Sequence, residues 1–169
     1  MKSIKSQDIL FRPIKAIGRD YFLINTEANG QRNAMTAAWG QIGLLWNKPI
    51  FTIYVRPSRY TKKLLDQSEY FVISFLPFGH SAYEYLGTIS GYEEERKVEK
   101  SRLKVLPLEH GFTFEEAYLT LVCKKIYVSA VKKENFLESK IPSTNYPKDD
   151  FSLQYIGEIV SAYSNEDNQ

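Results

Sequence analysis

The sequence predicts a mainly β protein with peripheral helices, folded as a closed or partly open antiparallel barrel. Three observations lead there. Aromatic residues make up 14% of the chain, as 12 Tyr, 10 Phe and 2 Trp, which suits a β-rich core or a site that stacks on a flat ligand. Apolar runs of strand length outnumber helical patterns, about six or seven against two or three, and the two kinds do not alternate as β-α-β-α. No glycine-rich phosphate turn follows a strand, which disfavours a doubly wound nucleotide fold.

The elements follow in chain order. Tyr21 to Thr26 is a short β-prone run, and Asn29-Gly30 marks a turn. Asn33 to Gly43 is a small-residue segment that lets the backbone approach a neighbour closely. Pro49 opens Ile50 to Val55, a β-branched and aromatic run ended by Arg56-Pro57-Ser58. Ser58 is placed to cap a helix that carries Tyr60, Leu64 and Leu65 on one face and Lys62, Lys63 and Asp66 outside. Tyr70 to Leu76 is a core strand bounded by Pro77. Ala82, Tyr85, Leu86 and Ile89 have helical spacing, with Gly91 near the C-terminal end. The charged run Glu93 to Arg102 reads as a solvated helix or loop. Ala117 to Val131 is one long strand or two joined by a bend, and Lys132 to Lys148 is a connection with a short helix around Asn135 to Ser139. Leu153 to Tyr163 is a final strand. Residues 1–163 are expected to form a single domain, and the polar tail 164–169 to be disordered.

Composition excludes several classes. A chain of 169 residues buries roughly 70% of its unfolded surface and needs no disulfide or structural metal. Twenty-two Lys and Arg against 20 Asp and Glu leave a net charge of +2, too small and scattered for a nucleic-acid partner. Cys123 is the single cysteine, so there is no disulfide framework or zinc ribbon. Only His80 and His110 are available as imidazole ligands, so no metal site is expected. The N-terminus lacks a secretory apolar core, and no apolar run approaches the ~18 residues of a membrane span, which makes the cytoplasm the default compartment.

Catalytic side chains are not evident. Cys123 lies mid-strand and reads as a buried inert thiol. No Gly-x-Ser-x-Gly elbow occurs. His80 reads as a loop residue, His110 as a turn, and Asp149-Asp150 as a solvated loop. Two segments carry more. In Asn33-Ala34-Met35-Thr36-Ala37-Ala38-Trp39, small side chains leave room for a flat ring whose polar edge backbone groups can read. A close-packed barrel strand accounts for the same residues. In Arg56-Pro57-Ser58-Arg59-Tyr60-Thr61, two guanidinium groups meet hydroxyls at a helix start, which attracts a phosphate. A capped surface helix with solvated arginines is the plainer alternative. A ring beside a phosphate describes a mononucleotide cofactor.

These residues resemble the flavin reductase-like proteins of the FMN-binding split-barrel class, which includes flavoredoxins. The resemblance spans roughly Asn33 to Tyr163. It rests on the two segments above together with Lys48-Pro49, Tyr70 to Leu76, Gly87-Thr88-Ile89-Ser90-Gly91 and Tyr155-Ile156-Gly157-Glu158-Ile159. It implies an antiparallel split β-barrel that forms a homodimer, with FMN near the interface and NADH or NADPH as electron donor. By that likeness Met35, Thr36, Ala37 and Ala38 line the isoalloxazine, flanked by Asn33 and Trp39. Arg56, Ser58, Arg59, Tyr60 and Thr61 hold the phosphate end, while Ser90 and Gly91 close over the flavin; Lys97 is a weaker match for a cofactor contact. Many relatives carry a histidine before the last strand, where this chain has Asp149-Asp150-Phe151-Ser152. Taken as a whole, the resemblance implies an NAD(P)H:flavin oxidoreductase, and the absent histidine counts toward the first of its alternatives. The alternatives are a flavin-binding electron carrier without that activity, or a barrel that binds another flat cofactor such as haem or a deazaflavin.

Overall fold

The computed structural model describes residues 1–165. Its strands are β1 (Lys2–Ile4), β2 (Phe22–Ala28), β3 (Gln31–Ala37), β4 (Gly40–Leu45), β5 (Lys48–Val55), β6 (Tyr70–Phe75), β7 (Val105–Leu108), β8 (Gly111–Phe114), β9 (Leu119–Ala130) and β10 (Leu153–Ser164). The helices are short: α1 (Pro13–Gly18), α2 (Tyr60–Leu65), α3 (Ala82–Thr88), α4 (Lys97–Lys100) and α5 (Lys140–Asn145). One curled sheet runs β3-β2-β6-β9-β10-β5-β4, and β1 adds to the far half of β10. All of its pairings are antiparallel. The fold class read from the sequence is the one found, an antiparallel split barrel with helices at its periphery.

Strand alternation explains where the cores lie. On β2, Phe22 and Ile24 face the barrel interior, while Leu23 faces outward into a second core. On β5 and β6 the inward residues are Phe51, Ile53, Val55, Phe71, Ile73 and Phe75, joined by Leu119, Leu121 and Cys123 from β9. Phe22, Phe51 and Phe75 meet with ring centroids 5.4 to 6.2 Å apart, an arrangement that adds to simple burial. The second core packs α3, α4 and the β7–β8 hairpin on the outer face through Leu23, Leu86, Val98, Phe112 and Phe114. Between hairpin and sheet runs a buried polar chain. Asn25 Nδ2 donates to Ser74 Oγ at 2.7 Å, and Ser74, Thr113 and Thr120 share hydroxyl bonds of 2.8 and 2.7 Å.

The register requires one glycine. β9 and β10 slip past each other at Ile156/Gly157 and again at Ile159/Ser161. At Gly157 a Cβ would stand 2.7 Å from both Cys123 Cβ and the Phe71 ring, so no larger residue fits without displacing the barrel wall.

Several expectations are corrected. β4, β7 and β8 are strands that the sequence reading does not single out: Gly40, Gln41 and Gly43 in β4 and Pro107 in β7 are poor strand formers, and β8 is only four residues long. α1 also went unread. The Glu93 to Arg102 run is not wholly solvated: Lys97 and Val98 are buried, and Val98 anchors α4 to the outer core. The short helix of the last connection lies at Lys140–Asn145 rather than Asn135 to Ser139, where only a single 3-10 turn, Lys133–Asn135, approaches. α3 stops at Thr88, with Ile89 as its C-cap. Ser164 and Asn165 are not tail: Ser164 pairs with Lys2, and the Asn165 N–H donates to Tyr118 O. The remainder of the expected tail, 166–169, lies outside the described residues.

Candidate functional site

Two neighbouring depressions open where β3, the β3–β4 corner, the end of β5 and the C-terminal end of α3 converge. The first is a cleft of about 240 Å³ lined by Met35, Ala37, Ala38, Trp39, Tyr54, Arg56, Arg59 and Ser152. The second, about 60 Å³, is lined by residues that include Met35, Thr36, Arg59, Tyr60, Thr61, Ser90, Gly91 and Lys97. Met35 and Arg59 belong to both and make them one continuous site.

The wall of the first cleft is built by packing. β3 lies against β2 with Met35 opposite Ile24 and Ala37 opposite Phe22. Trp39 follows the strand and stands half exposed, its ring 5.9 Å from that of Tyr146. Arg56 is held between them, its guanidinium 5.8 Å from the Trp39 centroid and 5.2 Å from that of Tyr146, and it donates to Asn145 O at 2.5 Å. It is thus a fixed part of the wall, spent on two rings and a carbonyl, rather than a solvated arginine.

The second depression gathers cations. Lys97 Nζ donates to Leu86 O at 3.0 Å and to Ile89 O at 2.6 Å, the carbonyls that end α3. An ammonium has three donors, so one remains for a ligand. Burial, and then the nearby charge of Arg59, lower the Lys97 pKa to about 8. Among the described residues neither cation has a carboxylate partner within ion-pair distance. A buried cation beside a second one, with no counter-ion, is an arrangement that an anion relieves.

The floor is tightly fitted. Asn33 is buried beneath it, with Nδ2 donating to Thr61 Oγ1 at 2.8 Å while Oδ1 has no partner. Gly91 lies so close that a Cβ would come within 2.3 Å of the Tyr60 ring and 2.9 Å of Asn33 Oδ1. Thr36 Oγ1 donates to Tyr83 O at 2.6 Å and so ties β3 to α3.

Measured against the sequence reading, Met35, Thr36, Ala37, Ala38, Trp39, Arg56, Arg59, Tyr60, Thr61, Ser90 and Gly91 come together as lining residues. Asn33 and Ser58 are not among them. Asn33 supports Thr61 from below, and Ser58 Oγ donates to Asp150 Oδ2 at 2.5 Å. Nor does Ser58 cap α2, whose N-cap is Arg59 without a side-chain cap bond. With six residues α2 has little macrodipole, so the positive potential here comes from Arg59 and Lys97.

The periodic pattern also left out Tyr54 and Ser152, while Lys97 entered only as the weaker match that the family resemblance supplied. Tyr54 had a visible signal, since it is in phase with Thr52 and opposite to Phe51, Ile53 and Val55, which places it outside the barrel. Lys97 had none within its charged run. Both histidines are structural in place: His80 Nδ1 accepts from the Ala82 N–H, and His110 stacks on Tyr70 at 3.9 Å. Cys123 is fully buried, and burial pushes its thiol pKa up, away from nucleophilic use. No group of three or more His, Cys, Asp or Glu side chains gathers in metal-binding array among the described residues. No helix among them is long and apolar enough to cross a membrane.

No protein-family model and no curated protein matches the chain. Solved structures do. A flavoredoxin from Methanosarcina acetivorans superposes with a TM-score of 0.65 at 20% identity, over 87% of this chain and 69% of that one. An FMN-binding domain of a flavin reductases-like enzyme from Shewanella baltica gives 0.67 at 17%, over 96% and 75%. An NADH:FAD oxidoreductase from Streptomyces globisporus, solved with NAD and FAD fragments, gives 0.64 at 14%, over 89% and 77%. At these identities the likeness is one of architecture, and the chain has the flavin reductase-like split-barrel fold.

Proposed function

We propose that the chain is an FMN-binding oxidoreductase of the flavin reductase or flavoredoxin type. The observation that carries this reading is the pair Arg59 and Lys97, two cations without a carboxylate partner among the described residues, at the end of a cleft walled by Met35, Ala37, Ala38 and Trp39. The donor set fits a flavin mononucleotide. Arg59, Lys97 and the Thr61 hydroxyl suit a phosphate, Gly91 lets its backbone pack directly against the Tyr60 ring where a Cβ would collide, and the alanine-lined cleft suits a flat ring.

When bound, the flavin supplies the redox chemistry. The protein's residues do the holding. Arg59 and Lys97 neutralise the anion, Trp39 and the Arg56 guanidinium close one side of the cleft, and Thr36 fixes α3 over it. No side-chain acid, base or nucleophile is needed, and the buried Cys123 and the two engaged histidines offer none at the site.

NADH or NADPH is the proposed donor, supported by the NAD fragment with which the Streptomyces neighbour was solved. The second reading is an electron carrier without NAD(P)H oxidation. It is favoured by the segment ahead of β10, where Asp150 is occupied by Ser58 and the cleft meets Ser152 rather than an imidazole. A homodimer is also proposed. Trp46 and Tyr127 pack edge to face at 6.0 Å while 59% and 45% exposed, and Leu44 is 74% exposed on the neighbouring edge strand, an apolar set suited to a second copy.

A visible spectrum of the purified protein, recorded before and after adding NADH or NADPH, is the test. Oxidised-flavin bands that bleach with the nucleotide support the reductase. Bands that persist with nucleotide but bleach with dithionite support the carrier. A haem or deazaflavin spectrum, or failure to take up added FMN, overturns the FMN reading.

A further inference from the structure

The depression that gathers Arg59 and Lys97 ends at a wall. It holds about 60 Å³, on the order of two water molecules, which suits one phosphate group and leaves no length for a second. Behind the wall lies an open groove of about 500 Å³, whose lining includes Glu27, Gln31, Arg32, Glu95, Arg96 and Glu99. Tyr60 lines both and is the one residue they share.

That ring is fixed in place. Tyr60 is buried and packs in a small core with Ala28 and Leu64. The backbone of Gly91 lies directly against it, so that a Cβ there would stand 2.3 Å from the ring. Tyr92 meets it edge to face at 4.9 Å, and Lys63 Nζ lies 5.2 Å from its centroid. Its hydroxyl donates to Gln31 Oε1 at 3.1 Å. A side chain held by its ring and by its hydroxyl does not swing aside for a ligand. The groove behind it also carries the wrong charge for a phosphate. Arg32 Nε is engaged with Glu27 Oε2 at 3.3 Å, which leaves Glu95 and Glu99 against Arg96 alone. Two carboxylates facing one guanidinium oppose an anion there.

We propose that Tyr60 is a specificity-determining residue that restricts the site to a flavin mononucleotide. A mononucleotide ends at its phosphate, whereas a dinucleotide continues through a second phosphate to adenosine. Tyr60 ends the anion pocket after the first phosphate and bars the adenylate half from the groove behind. The inference rests on the reading of Arg59 and Lys97 as the flavin phosphate site, and deepens it by naming what selects between the two flavins.

Equilibrium dialysis of the flavin-free protein against FMN or FAD, read by flavin absorbance, measures both dissociation constants. FMN is expected to bind about tenfold or more tightly than FAD. Tyr60→Leu keeps an apolar contact with Leu64 but withdraws the ring, and should narrow that ratio about fivefold or more. Tyr60→Phe keeps the ring and loses only the bond to Gln31, so the ratio should stay within about twofold of wild type. Glu95→Gln with Glu99→Gln alters exposed positions and spares the fold. With Tyr60 in place this pair should leave the ratio within about twofold, because the ring still bars the groove; added to Tyr60→Leu it should tighten FAD further. A wild-type ratio below about tenfold overturns the proposal whatever the variants do. So does a ratio that Tyr60→Leu leaves unchanged, that Tyr60→Phe narrows equally, or that the glutamine pair shifts while the ring is present. FMN and FAD bound alike defeat this inference and leave the flavin reading standing, whereas binding of neither defeats that reading and this inference with it.

Discussion

Lys97 is tied to two carbonyls and faces Arg59, so its ammonium is stabilised by the backbone but opposed by burial and by a like charge. If a phosphate is the missing partner, Lys97→Met should weaken FMN binding about ten- to a hundredfold, the worth of one charge-assisted hydrogen bond, as read by flavin fluorescence titration. Arg59→Ala should do the same, whereas Ser58→Ala, whose hydroxyl is engaged with Asp150, should change affinity little. The pH dependence has two opposite signs. Above a pKa of about 8 the free protein loses the Lys97 charge, so FMN affinity should fall between pH 8 and 10, and this slope should flatten in Lys97→Met. The unfolded chain keeps that proton up to its ordinary pKa near 10.4. It thus binds more protons than the folded state over the same window, and the stability of the flavin-free protein should rise there. Chemical denaturation at pH 7.5 and 9.5 measures the second effect without flavin.

At the scale of the element, two glycines set close approaches with different consequences. Gly157→Ala pushes a methyl group into Cys123 and Phe71 and should cost roughly 1–3 kcal/mol, as overpacking does, seen as a lower urea midpoint. Gly91→Ala collides with the Tyr60 ring at a loop beside the cation pair, so its main effect should fall on FMN affinity rather than the midpoint. The contrast reflects what the sequence could show. β5 and β6 were legible because their inward residues are continuous with strong β-formers. The Asn29-Gly30 hairpin was legible because both residues adopt positive φ, at 50° and 76°. The β4–β5 hairpin was not. Its loop, Trp46-Asn47, has the same positive φ values of 51° and 59° but no glycine to announce them. The site was legible where it follows strand alternation, from Met35 to Trp39. It was obscure at Ser152, and Lys97 was reached only through the family resemblance, because both join the site through tertiary packing, of the chain before β10 and of α4.

On the scale of the whole molecule, the half-exposed Trp46–Tyr127 pair and Leu44 form the apolar surface proposed above to meet a second copy. Trp46→Arg should shift the protein toward monomer in light scattering at micromolar concentration and leave its circular dichroism unchanged; a dimer that persists would remove that surface from the interface. A different consequence comes from β10, which pairs with β5, β9 and β1 at once. Those partners are scattered from residue 2 to residue 130, and the strand that unites them begins only at Leu153. Without Leu153–Ser164, then, β5 and β9 each lack the neighbour that covers one of their edges. A nascent chain released short of that strand would expose those edges to chaperones and proteases.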